Sequence, residues 1–444
     1  MGRLFGTDGV RGVAGTELTA DLASAIGRAA VEVLTVDRAR RPSFVVGRDP
    51  RESGTWLEAA IVDGVLRAGG DVLLAGVEPT PAIAFLTVAE GTDAGIVISA
   101  SHNPPEDNGI KIFGSNGMKL PDAIEDRIED RIGATPTGSM HGEGTVRELT
   151  GGKARYLAHL AGAATARLEG LTIVVDCANG AASGVGPELY ERLGATVRAI
   201  HASPDGRNIN VGCGALHPEV VGAAVVDAGA DAGVSHDGDA DRALFVDHDG
   251  RLIDGDQVLA ACAIAMKGDG TLRGDRVVTT VMANLGFHRA MQEAGISVSA
   301  TKVGDRYVLE EMLEEDAMLG GEQSGHLIFR EHATTGDGLL TAVRFLSLAA
   351  ASGKSVAELA AVMRRYPQVM RNVRVRAIEE LDDATDVWER VRATEEELAG
   401  TGRVLVRASG TEPLVRVMVE AESEEVAERH ADALAERVRA VLGP

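Results

Sequence analysis

The sequence predicts an α/β protein, with three related α/β domains and a smaller C-terminal α+β domain around a central cleft. Three observations predict it. A strand–helix–strand pattern that ends in a polar loop occurs three times along the chain. The stretch from residue 368 onward breaks that pattern. The composition, with 54 glycines, 45% hydrophobic residues and only 3% aromatics, suits tight strand–helix turns over sizeable cores. It does not suit a base-stacking nucleic-acid surface. The expected domains are 1–150, 151–252, 253–367 and 368–444.

Taken in order, Ser43–Gly47, Leu171–Val175 and Arg276–Val281 each read as a buried opening strand. A helical stretch follows each and stops at glycine: Gly69-Gly70, Gly194 and Gly295. Second strands come next at Asp71–Leu74, Ala195–Ile200 and Ile296–Ala300. Each third strand leads into a loop of reactive residue types: Ser101, then Asp237–Arg242, then Glu322–His326. The chain then turns back through Gly114–Gly117, Asp247–Gly250 and Glu331–Gly338 into another helix. Ligands gather beyond the carboxyl ends of strands in α/β sheets, so the three loops are expected to serve one site. In the last part, Val373–Ala377, Val404–Arg407 and Val415–Ala421 read as strands, and Leu381–Leu398 and Glu424–Leu442 as helices. A hinge is expected near Arg365–Arg371.

Acidic residues number 67 and basic residues 44, for a net charge of −23. That balance disfavours nonspecific binding to nucleic acid or anionic membrane. No run of 18 apolar residues is present, and the amino terminus has no apolar leader segment. Cys177, Cys213 and Cys262 are odd in number and far apart, which reads as reduced thiols in a cytoplasmic protein.

The chemistry starts at Asp237-Gly238-Asp239-Ala240-Asp241-Arg242. Three carboxylates alternate with small residues that allow a tight fold. Each close pair would repel by roughly 1–4 kcal/mol unless a cation intervened, and Mg²⁺ suits a few carboxylates plus a phosphate oxygen. An acidic surface turn is the alternative. Ser101, in Ser99-Ala100-Ser101-His102-Asn103-Pro104, has no nucleophile-elbow sequence around it. It reads either as a turn residue or as a phosphoserine whose oxygen completes the metal shell. Lys111 is either a solvated strand side chain or a cation close to Ser101. Arg242 closes the acidic loop and offers a donor to a sugar or phosphate oxygen. Glu322 and Ser324 suit sugar hydroxyls, His326 suits either a core hydrogen bond or acid–base work, and Lys302 adds a cation after a strand. Arg407, Ser409, Gly410, Thr411 and Arg416 form a common turn or a phosphate cradle.

Five segments in this order resemble the α-D-phosphohexomutase superfamily: Phe5–Gly12, Ser99–Pro104, Asp237–Arg242, Gly321–His326 and Arg407–Thr411. Gln323, between Glu322 and Ser324, is similar to the glucosamine branch. The resemblance spans nearly the whole chain. It implies Ser101 as phosphoserine and Ser101, Asp237, Asp239 and Asp241 as the Mg²⁺ ligands. It further implies Glu322 and Ser324 as sugar contacts and Arg407, Ser409, Gly410, Thr411 and Arg416 as the phosphate segment. Arg11, Lys111, Lys302, Arg242 and His326 match other active-site positions, with Lys111 and His326 as proton-transfer candidates. The implied reaction interconverts glucosamine 6-phosphate and glucosamine 1-phosphate through glucosamine 1,6-bisphosphate, with glucose or mannose phosphates as alternative substrates. A sugar phosphatase and a noncatalytic sugar-phosphate sensor are further alternatives. Priming of Ser101 by a kinase or by autophosphorylation, and a homodimer, are compatible with the resemblance. Ala240 departs from the glycine frequent in this loop, and Gly114 follows Phe113 where another residue is common.

Overall fold

The computed structural model describes residues 3–6, 8–37, 39–134, 142–409 and 413–444. The chain forms two compact units: Met1–Met282 with Ile296–Val362, and Ala283–Gly295 with Met363–Pro444.

The first unit carries three sheets. The first has six strands, β1 (Val10–Val13), β2 (Ser43–Arg48), β3 (Asp71–Val77), β4 (Ala94–Ile98), β5 (Asp107–Gly114) and β6 (Val146–Glu148). Their order is β1-β5-β4-β2-β3-β6. The second sheet contains β7 (Thr172–Asp176), β8 (Thr196–Ile200), β9 (Ala232–His236), β10 (Ala243–Asp247) and β11 (Leu252–Ile253), ordered β11-β10-β9-β7-β8. The third contains β12 (Arg276–Thr280), β13 (Ser297–Thr301), β14 (Leu319–Gly321) and β15 (Leu327–Phe329), ordered β13-β12-β14-β15.

The threefold pattern is therefore topological. In each sheet the opening strand lies between the second and third strands, parallel to both. A fourth strand returns antiparallel to the third. Alternation explains how the first sheet is buried on both faces. Phe44, Val46, Ile96, Ile98, Ile110 and Ile112 belong to one core cluster, while Val45, Val97 and Phe113 belong to another. Successive side chains of a strand point to opposite faces, so a near-continuous apolar run fills two cores at once.

The short β1 pairs antiparallel with β5, although its sequence carries no strong strand pattern. That pairing sets Arg11 opposite Gly109. A side chain at Gly109 would meet the carbonyl of Ser99 and the stem of Arg11, so the glycine permits this approach.

The second unit holds a sheet of β16 (Gln368–Arg374), β17 (Arg403–Ala408) and β18 (Leu414–Glu420) under the long helix Glu424–Leu442. Here two expectations are corrected. Residues 368–371, expected as part of a hinge, are strand, and the strand expected at Val373–Ala377 starts earlier and ends at Arg374. The arginines there disguise an alternation in which Val369 and Val373 are buried. The helix expected from Leu381 begins at Thr385, after a short 3₁₀ turn over Ile378–Leu381. Asp382 and Asp383 lie between the two, and Asp favours helix starts over interiors. The helix Leu285–Glu293 belongs to this unit as well. Its Asn284 cap accepts from the Tyr366 N–H at 2.9 Å, and the Leu285 N–H donates to Glu420 at 2.9 Å.

Among the described residues, no helix is long and apolar enough to cross a membrane. All three cysteines are free and buried.

Candidate active site

The loops after β4, β9 and β14 carry the sequence-predicted groups. The first two loops interlock. Ser101 follows β4 and is buried, with a left-handed φ of +52°. A non-glycine residue in that region stores backbone strain that its surroundings must hold. Those surroundings are specific. The Ser101 N–H donates to the Ser99 hydroxyl at 2.9 Å, and that hydroxyl donates to Asp49 at 2.6 Å. Arg51 is fully buried and donates to the carbonyls of Ser101, Asn103, Pro104 and Asp107 while pairing with Asp49. Asn210, from the second domain, donates to the same Ser101 carbonyl at 2.9 Å.

The Ser101 hydroxyl donates to Asp237 at 2.5 Å, and His102 Nδ1 lies 3.2 Å from the same oxygen. Burial, then the positive charges of Arg242 and Arg11, push the His102 pKa down to about 4, so its ring is neutral. Asp237, Asp239 and Asp241 are all buried, and one ligand oxygen from each lies within 4.8 Å of the others. Asp237 also accepts from the Arg242 N–H at 3.2 Å. Asp239 accepts from Thr80 at 2.5 Å and from Lys111 at 2.8 Å. The Oδ1 atoms of Asp239 and Asp241 are buried with no hydrogen-bond partner among the described residues.

This electrostatic arrangement is unbalanced. Burial, then the charges of Asp241 and Asp239, raise the Asp237 pKa well above the carboxylate range. Burial acts on Asp241 in the same direction, yet Lys111, His326 and Arg242 hold its pKa below that range. Lys111 is buried among Asp239, Asp8 and Asp241, which outweigh the burial and keep it an ammonium. It therefore suits a fixed charge or a proton donor. Orphaned hard-oxygen donors, crowded and buried, fit Mg²⁺. Ala240, between two of them, has a φ of +57°. Alanine there carries a strain of about 1–2 kcal/mol that glycine would not.

The third loop meets the second. His326 is buried, with Nδ1 3.6 Å from Asp241 and Nε2 3.6 Å from Asp305. The Gly336 N–H donates to Nε2 at 3.1 Å, which places the neutral ring's proton on Nδ1, toward Asp241. Burial also opposes an imidazolium, but Asp241 and Asp305 outweigh it and raise the pKa above its ordinary value. Glu322 accepts from the Gly304 N–H at 3.2 Å, and burial raises its pKa. The Ser324 hydroxyl is buried and has no partner among the described residues. Lys302 is exposed, with its ammonium 3.7 Å from the centre of the Tyr307 ring.

Arg11 donates to Asn103 at 3.2 Å and pairs with Asp8. Asp8 and Lys119 lie beside these groups and were missed in sequence: Lys119 bridges Asp8 and Asp305. Asp8 sits inside the Phe5–Gly12 motif, but Lys119, Thr80 and Arg51 carry no local signal. Asp176, His201 and Cys213 also converge. There, however, the two Asp176 oxygens accept the N–H groups of Ala178 and Gly214, which makes the carboxylate a tie between loops.

In the second unit, Arg407 and Arg416 face each other across β17 and β18. Burial, then Arg416, lower the Arg407 pKa. The Ser409 hydroxyl is buried without a partner among the described residues. Gly410 and Thr411 lie outside the described residues.

Known proteins share this plan. Profiles of phosphoglucomutase/phosphomannomutase match over nearly the full length: α/β/α domain I at residues 2–137, domain II at 154–250, domain III at 254–366 and the C-terminal domain at 370–437. A phosphoglucosamine mutase of Desulforudis audaxviator is 54% identical over 428 residues, 96% of this chain and 95% of that one. A phosphoglucomutase/phosphomannomutase family protein of Burkholderia thailandensis superposes with a TM-score of 0.83 at 27% identity, covering 99% and 97% of the two chains. An Aspergillus fumigatus N-acetylphosphoglucosamine mutase, solved with GlcNAc-6P and magnesium, shares the fold with a TM-score of 0.73 at 18% identity, over 99% and 96% of the chains.

Proposed function

This chain belongs to the phosphoglucomutase/phosphomannomutase family of α-D-phosphohexomutases, and on that premise we propose that it interconverts glucosamine 6-phosphate and glucosamine 1-phosphate; a 54%-identical relative is named phosphoglucosamine mutase. The observation that carries the reading is the Ser101 hydroxyl, 2.5 Å from the first carboxylate of a buried acidic triad.

Ser101 carries the phosphoryl group. A phosphoserine there would lose its donated hydrogen bond and set new negative charge against Asp237, so the arrangement calls for a cation. Asp237, Asp239 and Asp241, with a Ser101 phosphoryl oxygen, would hold Mg²⁺, which supplies charge neutralisation and orientation for the transferring group.

In the first half-reaction a sugar hydroxyl oxygen bonds to phosphorus and gives up its proton. The bond from phosphorus to Ser101 Oγ breaks, and Oγ leaves with the electron pair and regains a proton. His326 in its neutral form is the candidate to take the proton from the sugar hydroxyl, and the Lys111 ammonium the candidate to give Oγ its proton, the reverse step restoring both; the neutral His102 ring, 3.2 Å from Oγ, can only hydrogen-bond to it. The resulting glucosamine 1,6-bisphosphate turns over and returns its other phosphoryl group to Ser101 by the reverse step. Glu322 and Ser324 grip sugar hydroxyls in both orientations, while Arg407, Ser409 and Arg416, with Gly410 and Thr411, hold the phosphate that is not reacting. Lys302, Arg11 and Arg242 contribute positive charge to substrate oxygens.

The parts 1–150, 151–252, 253–367 and 368–444 thus divide the reaction into phosphoserine, metal, sugar and phosphate roles. A sugar phosphate is the partner this chemistry requires, and a cytoplasmic supply of amino-sugar phosphate for nucleotide-sugar synthesis is its setting.

Peptide mapping of the purified enzyme, coupled to a substrate panel, tests this. Phosphate on Ser101, and a highest kcat/KM for glucosamine phosphate over glucose and mannose phosphates, are expected. Full turnover by Ser101→Ala would sink the mechanism. A higher kcat/KM for mannose phosphate would keep the mechanism and reassign the substrate.

A further inference from the structure

Asp237, Asp239 and Asp241 can share one cation only if the chain between them stays closed. His236 is the last residue of β9 and Ala243 the first of β10, and they are ladder partners. Between them runs the loop with Gly238 and the left-handed Ala240. Just outside the triad, His236 is fully buried and makes two contacts. Its Nδ1 lies 3.0 Å from the Arg242 carbonyl oxygen, and its Nε2 lies 2.8 Å from the Tyr190 hydroxyl. A carbonyl only accepts, so the proton of the neutral ring sits on Nδ1. Nε2 is then the acceptor, and the Tyr190 hydroxyl donates to it. Tyr190 is itself fully buried on the helix Gly186–Arg192. One side chain therefore ties the entrance of the acidic loop to its exit, and a second fixes the tautomer that makes the tie.

We propose that His236 is a positioning residue, oriented by Tyr190, that holds Asp237–Arg242 in the closed form able to gather three carboxylates around one divalent cation. The inference rests on reading the triad as a cation site. Any buried histidine satisfies its nitrogens, but here one bond spans the two ends of the very loop that carries the ligands. The Arg242 N–H to Asp237 bond, at 3.2 Å, joins the first and last residues of the loop from inside, and the Gly338 N–H to the Ala240 carbonyl, at 3.0 Å, braces its middle. His236 adds a side-chain tie from the end of β9 to the Arg242 carbonyl.

The experiment is calorimetric titration of the full-length enzyme with Mg²⁺, without substrate, beside thermal unfolding in chelator. Wild type is expected to bind one Mg²⁺, and Asp239→Asn to bind it at least 10-fold more weakly. His236→Phe, without ring nitrogens, should weaken Mg²⁺ binding about 10-fold in protein that is still folded in chelator at the titration temperature, though its unfolding temperature falls because the Arg242 carbonyl and Tyr190 hydroxyl lose a partner. His236→Asn, whose amide can donate from near the place of Nδ1, should recover most of the affinity, and Tyr190→Phe should lose a few-fold. Wild-type affinity in His236→Phe overturns the clamp and leaves the cation site standing. Wild-type affinity in Asp239→Asn overturns both. If His236→Phe does not fold, ¹⁵N-histidine NMR of the wild-type protein decides: an Nδ1–H tautomer at His236 is expected, and an Nε2–H tautomer overturns the proposal.

Discussion

Gly238 shows how one missing atom permits a site. A Cβ there would lie 2.4 Å from the Ser101 carbonyl oxygen and 2.9 Å from Asn210 Nδ2. The serine loop and the acidic loop touch because that atom is absent. Gly238→Ala must push them apart, and displacements near 1 Å can cost roughly 100-fold in rate. We expect kcat to fall at least 10-fold, measured beside thermal unfolding to separate rate from folding. Glu78 gives a different test. It is buried, with one carboxylate oxygen lacking a partner among the described residues. Burial, opposed only by Lys153, raises its pKa to about 7 from an ordinary 4.5. The folded state therefore binds the extra proton between those values, so this group's contribution to stability is full below pH 4.5 and is lost as pH rises through 7. Glu78→Gln removes that loss. Relative to wild type, the variant should gain stability on the order of 3 kcal/mol between pH 4.5 and pH 8. Denaturant unfolding at both pH values checks the sign, and a parallel dependence in the two proteins would contradict it.

At the scale of elements, the serine loop is held by Arg51 more than by its own sequence. One guanidinium satisfies four carbonyls and the buried Asp49, a task its fixed fork of donors suits. Arg51→Met would leave Asp49 as a buried, unpaired carboxylate and release the strained Ser101 turn. Losing one partner of a buried pair costs about 3–5 kcal/mol. A drop of that size in unfolding free energy, with a loss of turnover greater than the unfolded fraction explains, is expected. A variant with native stability would show that the loop holds its own shape. The helix Leu285–Glu293 carries a related lesson. Its position in the chain predicts a partner in the third sheet, yet its cap bonds to Tyr366 and Glu420, far along the sequence.

Across the whole molecule, three sheets that share the order of four core strands each send their third strand toward one of the candidate loops. The second unit contributes a pair of arginines directly opposite each other on neighbouring strands. Two guanidiniums on facing strand positions suit a ligand phosphate, whose oxygens can each accept from them. Arg407→Ala should therefore weaken sugar-phosphate binding by about 10- to 150-fold, from the roughly 1.5–3 kcal/mol of a charged hydrogen bond. Forward and reverse reactions should suffer alike, because under the proposed mechanism a phosphate occupies that segment in both. Steady-state kinetics in the two directions, with Ser101 phosphorylation measured separately, would expose a phosphate site elsewhere if neither direction changes.

Local chemistry made much of this protein legible. Apolar strands, glycine stops and the short reactive loops recur at close range, and each is encoded within about ten residues of itself. The threefold sheet plan, Ser101, the three aspartates and the Glu322–His326 loop could be read that way. The tertiary structure decided which side chains hold them in place. Arg51 meets Ser101, Asn103 and Asp107 from some 50 residues away, Lys119 joins Asp8 to Asp305, and Tyr190 orients His236. None of these residues stands in a pattern of its own, because a buried arginine, lysine or tyrosine has the same neighbours in sequence as an exposed one. The cost of burying a polar group is met by whichever distant partner the fold delivers, and only the folded chain identifies that partner.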